Sequence, residues 1–161
     1  PTELIASVAL AAALAIHARR AEATALLDGC VDQLWASDPI ARAQEYAHAA
    51  FTSMWLEDYD RAERLLDRLI SRGRAVGAVG ILPQALAMAS ELAYRLGRWP
   101  ESRACVEESV ALAEESRQPN AYGRYFLARM DGMQGRAADG TLEATIASQY
   151  CEHRWTMHKI D

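Results

Sequence analysis

Cys151, His153 and His158 fall within one short stretch of the chain, and thiolate and imidazole are the side chains that hold zinc. A closed zinc site takes four ligands, commonly with Cys-x-x-Cys pairs, whereas this spacing is irregular. Cys30 and Cys105 stand far away on apolar helical faces, where a thiol packs as a small apolar group. No metal site is expected. A nucleophile with its base fares no better, because His17 and His48 lie in alanine-rich sequence with no Ser, Cys or carboxylate pattern beside them. There is no G-x-x-x-x-G-K-[ST] loop to cradle phosphate, and the only lysine is Lys159. The chain reads as a non-enzyme that needs no cofactor. Arg61, Arg64, Arg68 and Arg72 recur at helical spacing and could grip an acidic partner. Glu57, Asp58, Asp60, Glu63 and Asp67 interleave with them, with Glu57 in reach of Arg61 and Asp60 of Arg64. This face therefore reads as a solvated, ion-paired surface.

The scaffold follows from composition. A chain of 161 residues, 51% hydrophobic and 24% charged, is one globular domain with enough apolar sequence for a core. Thirty-two alanines and only five prolines favour helix throughout and exclude a sheet-based enzyme fold. Seventeen basic against 22 acidic residues give a net charge of -5, the wrong sign for direct nucleic-acid binding. Three widely spaced cysteines do not make a disulfide framework, which places the chain in a reducing cytoplasm. The apolar run Leu4 to Ile16 is not a signal peptide, because Glu3 stands where positive charge belongs and Arg19 and Arg20 follow the run; it is also too short to span a membrane. A start at Pro1 without methionine fits an excised fragment of a longer chain.

Proline opens helices and glycine closes them. Pro39, Pro83, Pro100 and Pro119 mark starts, Asp38 is placed to cap the amides after it, and Gly97 and Gly135 follow periodic runs. These signals predict eight helices, over 2–17, 20–36, 39–56, 58–75, 82–97, 100–116, 120–134 and 137–155, joined by short connections except in the Gly-rich stretch 73–80. The turns beginning at Glu57, Gly97 and Gly135 repeat one another, with a fainter copy near His17. Small residues recur around them, at Ala50, Ser90 and Ala128 before the turn and at Ala62, Ser102 and Gly140 after it. In this register the first unit carries Leu10 and Glu22 at the small positions. A period near forty residues predicts an all-α solenoid of about four antiparallel helical hairpins, each needing its neighbours to bury an apolar face.

Gly97, Trp99, Tyr59, Ala62 and Gly135 in this arrangement resemble the tetratricopeptide repeat, over about residues 39 to 150. The longer period, with Leu96-Gly97-Arg98-Trp99 followed by Glu107 to Ala113, resembles the helical-repeat region of large bacterial LuxR-type (MalT-like) transcriptional regulators. The resemblance implies a concave groove lined by the first helix of each hairpin. Gln44, Phe51, Met54, Trp55, Gln84, Glu91, Tyr94, Arg95, Tyr122, Tyr125, Arg129 and Met133 would face it, aromatic area with convergent polar groups that suits a peptide, helix or small molecule. The alternative for each aromatic is packing between repeats. The implied partners are other domains of the same regulator or a separate protein, a small-molecule effector, or a second copy in a homodimer, with no membrane. A stand-alone protein-binding adaptor is the second reading, and an enzyme on a helical scaffold the third.

Overall fold

Alanine-rich sequence with proline confined to start positions leaves the backbone little alternative to helix. The computed structural model, which describes residues 2–136, contains seven helices and no strand among those residues. They are α1 (Thr2–Ile16), α2 (Arg20–Trp35), α3 (Ala43–Trp55), α4 (Tyr59–Val76), α5 (Leu82–Arg95), α6 (Trp99–Glu115) and α7 (Ala121–Met133). The helix expected over 137–155 lies outside the described residues, as do Gly140, Cys151, His153, His158 and Lys159.

The chain divides into two compact units, Pro1–Ile81 and Leu82–Asp161, with the boundary just past the Gly-rich stretch. In the first, α1 pairs with α2 and α3 with α4, and α3 also lies against α1 and α2. In the second, α5 pairs with α6, and α7 lies against both. One packing rule thus operates inside each unit: the helix that follows a hairpin seats itself on both of that hairpin's helices.

One predicted start is corrected. Pro39 does not open α3, which begins at Ala43. Asp38 Oδ1 accepts the Ile40 amide at 3.0 Å and draws residues 38 to 40 into a turn first. Pro119 stands just ahead of α7, whose expected start at 120 is its cap: Asn120 Oδ1 accepts the Gly123 amide at 3.0 Å while its Nδ2 donates to the Ser109 carbonyl at 3.0 Å. Pro100 sits in the first turn of α6, as its type requires.

Every described helix but α2 closes in the same way. Ala18, Glu57, Gly97 and Gly135 have φ of 59°, 63°, 74° and 76°, and Gly77 and Arg117, after α4 and α6, have φ of 65° and 54°. Behind each, the next amide reaches the carbonyl five residues back, as Arg19 does to Leu14, Asp58 to Ser53, Arg98 to Ala93 and Arg136 to Asp131. This is the Schellman closure of a helix. The register of the first unit is therefore corrected by one residue. Its turn is centred on Ala18 rather than His17, and its small positions are Ala11 and Ala23, both wholly buried, while Leu10 is 54% exposed. Ala11 stands to Ala23 as Ala50 stands to Ala62 and Ser90 to Ser102, all six fully buried. At the last pair the helices approach so closely that each serine hydroxyl donates to the other's carbonyl at 2.8 Å.

A left-handed glutamate is strained where a glycine is not. Glu57→Gly is accordingly expected to stabilise the chain by about 1 kcal/mol. Its exposed contact with Arg20 at 3.9 Å, the one ion pair it makes among the described residues, adds little. Urea denaturation of the variant reads the sign directly: an unchanged or lowered midpoint would contradict the strain.

Candidate functional site

The residues expected to line a groove fall in both units. In the first, the Phe51 and Trp55 rings meet edge to face at 4.6 Å, both half-buried, and Gln44 is exposed one turn or more away on α3. Met54 does not join them: it is 1% exposed and belongs to the core. Its direction on α3 lies between the Phe51 side and the face turned toward Ala50 and its partner helix.

The second unit brings most of its predicted residues into contact. Helical spacing puts Glu91, Tyr94 and Arg95 on one side of α5, and Tyr122, Tyr125, Arg129 and Met133 on one side of α7. Because α7 lies against α5, the two sets interlock. The Arg129 guanidinium sits 4.3 Å from the Tyr94 ring centroid and 5.8 Å from that of Phe126, a stacked cation arrangement. The Tyr94 hydroxyl donates to Met133 Sδ at 3.4 Å. Glu91 is 6% exposed, and its carboxylate accepts from Arg95 Nε at 2.9 Å on one oxygen and from the Tyr122 hydroxyl on the other. A buried carboxylate held by two donors fixes α5 to α7 and leaves the aromatic rings in set positions. Gln84 is exposed on α5, and Tyr125 packs edge to face on Phe126 at 5.5 Å.

Phe126 was absent from the predicted set and is central to the arrangement. It lies 3% exposed beneath Arg129, with Val106 and Met130 around it and the Tyr122 ring at 4.8 Å. The signal available in the sequence was the i, i+4 pair Tyr122 and Phe126. Among the described residues Arg129 makes no ion pair with a carboxylate. The site is thus an aromatic surface around a stacked cation, half-buried at Tyr94, Tyr122, Tyr125 and Arg129, with Met133 55% exposed at its margin.

The arginine series on α4 has a structural role. Arg61 pairs with Asp58 at 2.9 Å and reaches Asp28 of α2 at 2.8 Å. Arg68 donates to the carbonyls of Trp35 and Ser37 at 3.0 and 3.3 Å and lies 5.3 Å from the Trp35 ring centroid. Arg72 reaches Asp38 at 3.3 Å. The hydrogen bonds from Arg72, then that from the Ile40 amide, hold the Asp38 carboxyl below its usual range. The ladder therefore ties α4 to the end of α2 rather than facing solvent alone. The shallow cleft between Ser37, Pro39, Ser71 and these arginines is filled at one side by Asp38.

Elsewhere the chemistry is sparse. Burial pushes the Cys30 thiol above its ordinary range, as befits a packed apolar group. His17 and His48 are exposed, with His48 Nδ1 2.8 Å from the Gln44 carbonyl oxygen. Among the described residues no three His, Cys, Asp or Glu side chains gather as a metal site, and no helix is long and apolar enough to cross a membrane. No family model, curated protein or solved structure matches this chain.

Proposed function

We propose that the chain is a tetratricopeptide-like helical-repeat module that binds a ligand or partner on the surface shared by α5 and α7, without catalysis. The observation that carries this reading is the Tyr94, Arg129 and Met133 cluster, in which an arginine with no carboxylate partner among the described residues is stacked on an aromatic ring. Aromatic side chains and arginine are the residue types that dominate binding energy at interfaces. The glutamate network beneath them holds the surface in one arrangement, which reduces the ordering cost of binding. The repeat reading is supported by the recurrence of left-handed turns at Ala18, Glu57, Gly97 and Gly135 and of small residues around them. The texture of Leu96 to Trp99 and Glu107 to Ala113 supports a place in a LuxR-type bacterial regulator, in the cytoplasm, as its sensor or interaction segment. In that setting a bound ligand would act by preferring one of two packing states of the whole chain.

The test is a binding screen of metabolites and short peptides against the purified chain, read by NMR of the Met133 methyl group. Binders are expected to shift that signal and to lose affinity roughly tenfold or more in the Tyr94→Ala, Arg129→Ala double variant. Binders that tolerate both changes, or a screen with none, would overturn the reading.

A further inference from the structure

Helix α1 presents an outer stripe of Ala6, Ala9, Leu10, Ala13 and Ile16, all exposed, and between Glu3 and Arg19 the chain carries no acidic or basic residue other than His17. Leu10 and Ile16 are 54% and 56% exposed. Single apolar residues on a surface need no explanation, but a stripe at i, i+3, i+4 and i+7 is the pattern by which a helix packs on a neighbour.

The repeat register says which neighbour. With Ala11 aligned to Ala50 and Ala128, the positions of Ala6, Leu10 and Ala13 correspond to Glu45, Ala49 and Thr52 of α3, all buried. On α7 they correspond to Gly123, Leu127 and Met130, and Ala9 corresponds to Phe126. Of these α7 positions three are buried and Leu127 is half-buried. The exceptions are His48, opposite Ala9 on α3, and Met133, opposite Ile16 on α7, which remain exposed. Both helices follow a hairpin and pack on it, α3 on α1 and α2, α7 on α5 and α6, the latter through Phe126, Met130 and Val106. α1 thus carries the apolar face of a helix that sits on a hairpin. A helix face left in solvent at the end of a repeat array is ordinarily polar, and the exposed stripe of α1 is apolar.

From this continuity with the packing inside each unit, we infer that the outer face of α1 is a docking face for one further helical hairpin of the same repeat kind. The hairpin's contact surface is uncharged and aliphatic, as α6 offers Val106 to α7. Occupation buries Leu10 and does not involve the α5 and α7 surface.

The test joins a hairpin of this chain directly ahead of Thr2 in the 161-residue chain, in two versions, residues 82–118 and residues 42–80. Hydrogen exchange of the α1 amides and analytical ultracentrifugation are then measured with and without Leu10→Glu. At least one fusion is expected to slow exchange across Ala6 to Ala13 roughly tenfold relative to the unfused chain, and Leu10→Glu is expected to abolish the gain. Because Leu10 is exposed in the unfused chain, that variant should fold there normally. Unchanged exchange in both fusions, or protection indifferent to Leu10→Glu, would overturn the inference. So would self-association of the unfused chain that Leu10→Glu abolishes, since the occupant would then be a second copy.

Discussion

Replacing Ala62 with leucine is expected to lower stability by roughly 1 to 3 kcal/mol, because the side chain would be forced into a fully buried position on a helix already packed against its partner. The same change at Ala23 should cost a similar amount, since it occupies the equivalent place in the first hairpin and is equally buried. Its neighbour provides the control. Glu22 is exposed, and its pair with Arg19 has both side chains more than half accessible, so Glu22→Leu should change stability by less than about 0.5 kcal/mol. Urea denaturation of the three variants distinguishes the two registers of the first unit. Equal losses for Glu22→Leu and Ala23→Leu would return the turn to His17 and remove the equivalence on which the docking face of α1 rests.

That one-residue slip illustrates what a sequence can and cannot announce. Gly97 and Gly135 advertise left-handed backbone because glycine is the residue that tolerates it, whereas Ala18 and Glu57 take the same conformation without a glycine to mark it. The start of α3 was hidden for a different reason: Pro39 is a good helix opener, but Asp38 uses its side chain to hold a turn ahead of the helix. Periodicity placed Glu91, Tyr94 and Arg95 together, and Tyr122, Tyr125 and Arg129 together, since spacings of three and four define one face. Their meeting across two helices, and the stacking of Arg68 on Trp35 from 33 residues away, depend on how helices pack. Local patterns carry no such information. Met54 failed as a surface residue because its direction falls between the outer face and the core, where a small rotation of α3 decides burial.

Phe126→Ala should be the most damaging single change, with an expected loss of about 3 to 5 kcal/mol. The ring is 3% exposed and fills the space between Val106 and Met130, with the Tyr122 and Tyr125 rings meeting it edge to face at 4.8 and 5.5 Å. Truncation removes apolar burial, leaves a cavity and forfeits the paired-ring contacts, each worth about 0.5 to 1.5 kcal/mol beyond area. It also takes away the floor beneath Arg129, so loss of binding in this variant could not by itself be assigned to contact with a ligand. Phe126→Leu separates the two effects: it keeps most of the volume and should cost less than about 1.5 kcal/mol, while Arg129 keeps the Tyr94 ring at 4.3 Å as its main support. The measurement is urea denaturation of both variants, followed by exchange rates of the α7 amides. A loss below about 1 kcal/mol for Phe126→Ala would mean that α7 is held to α6 weakly. In that case the aromatic and arginine surface would have no fixed base, and α7 would rest chiefly on α5, through the bond from Tyr122 to the Glu91 carboxylate and the contacts of Tyr94 with Arg129 and Met133.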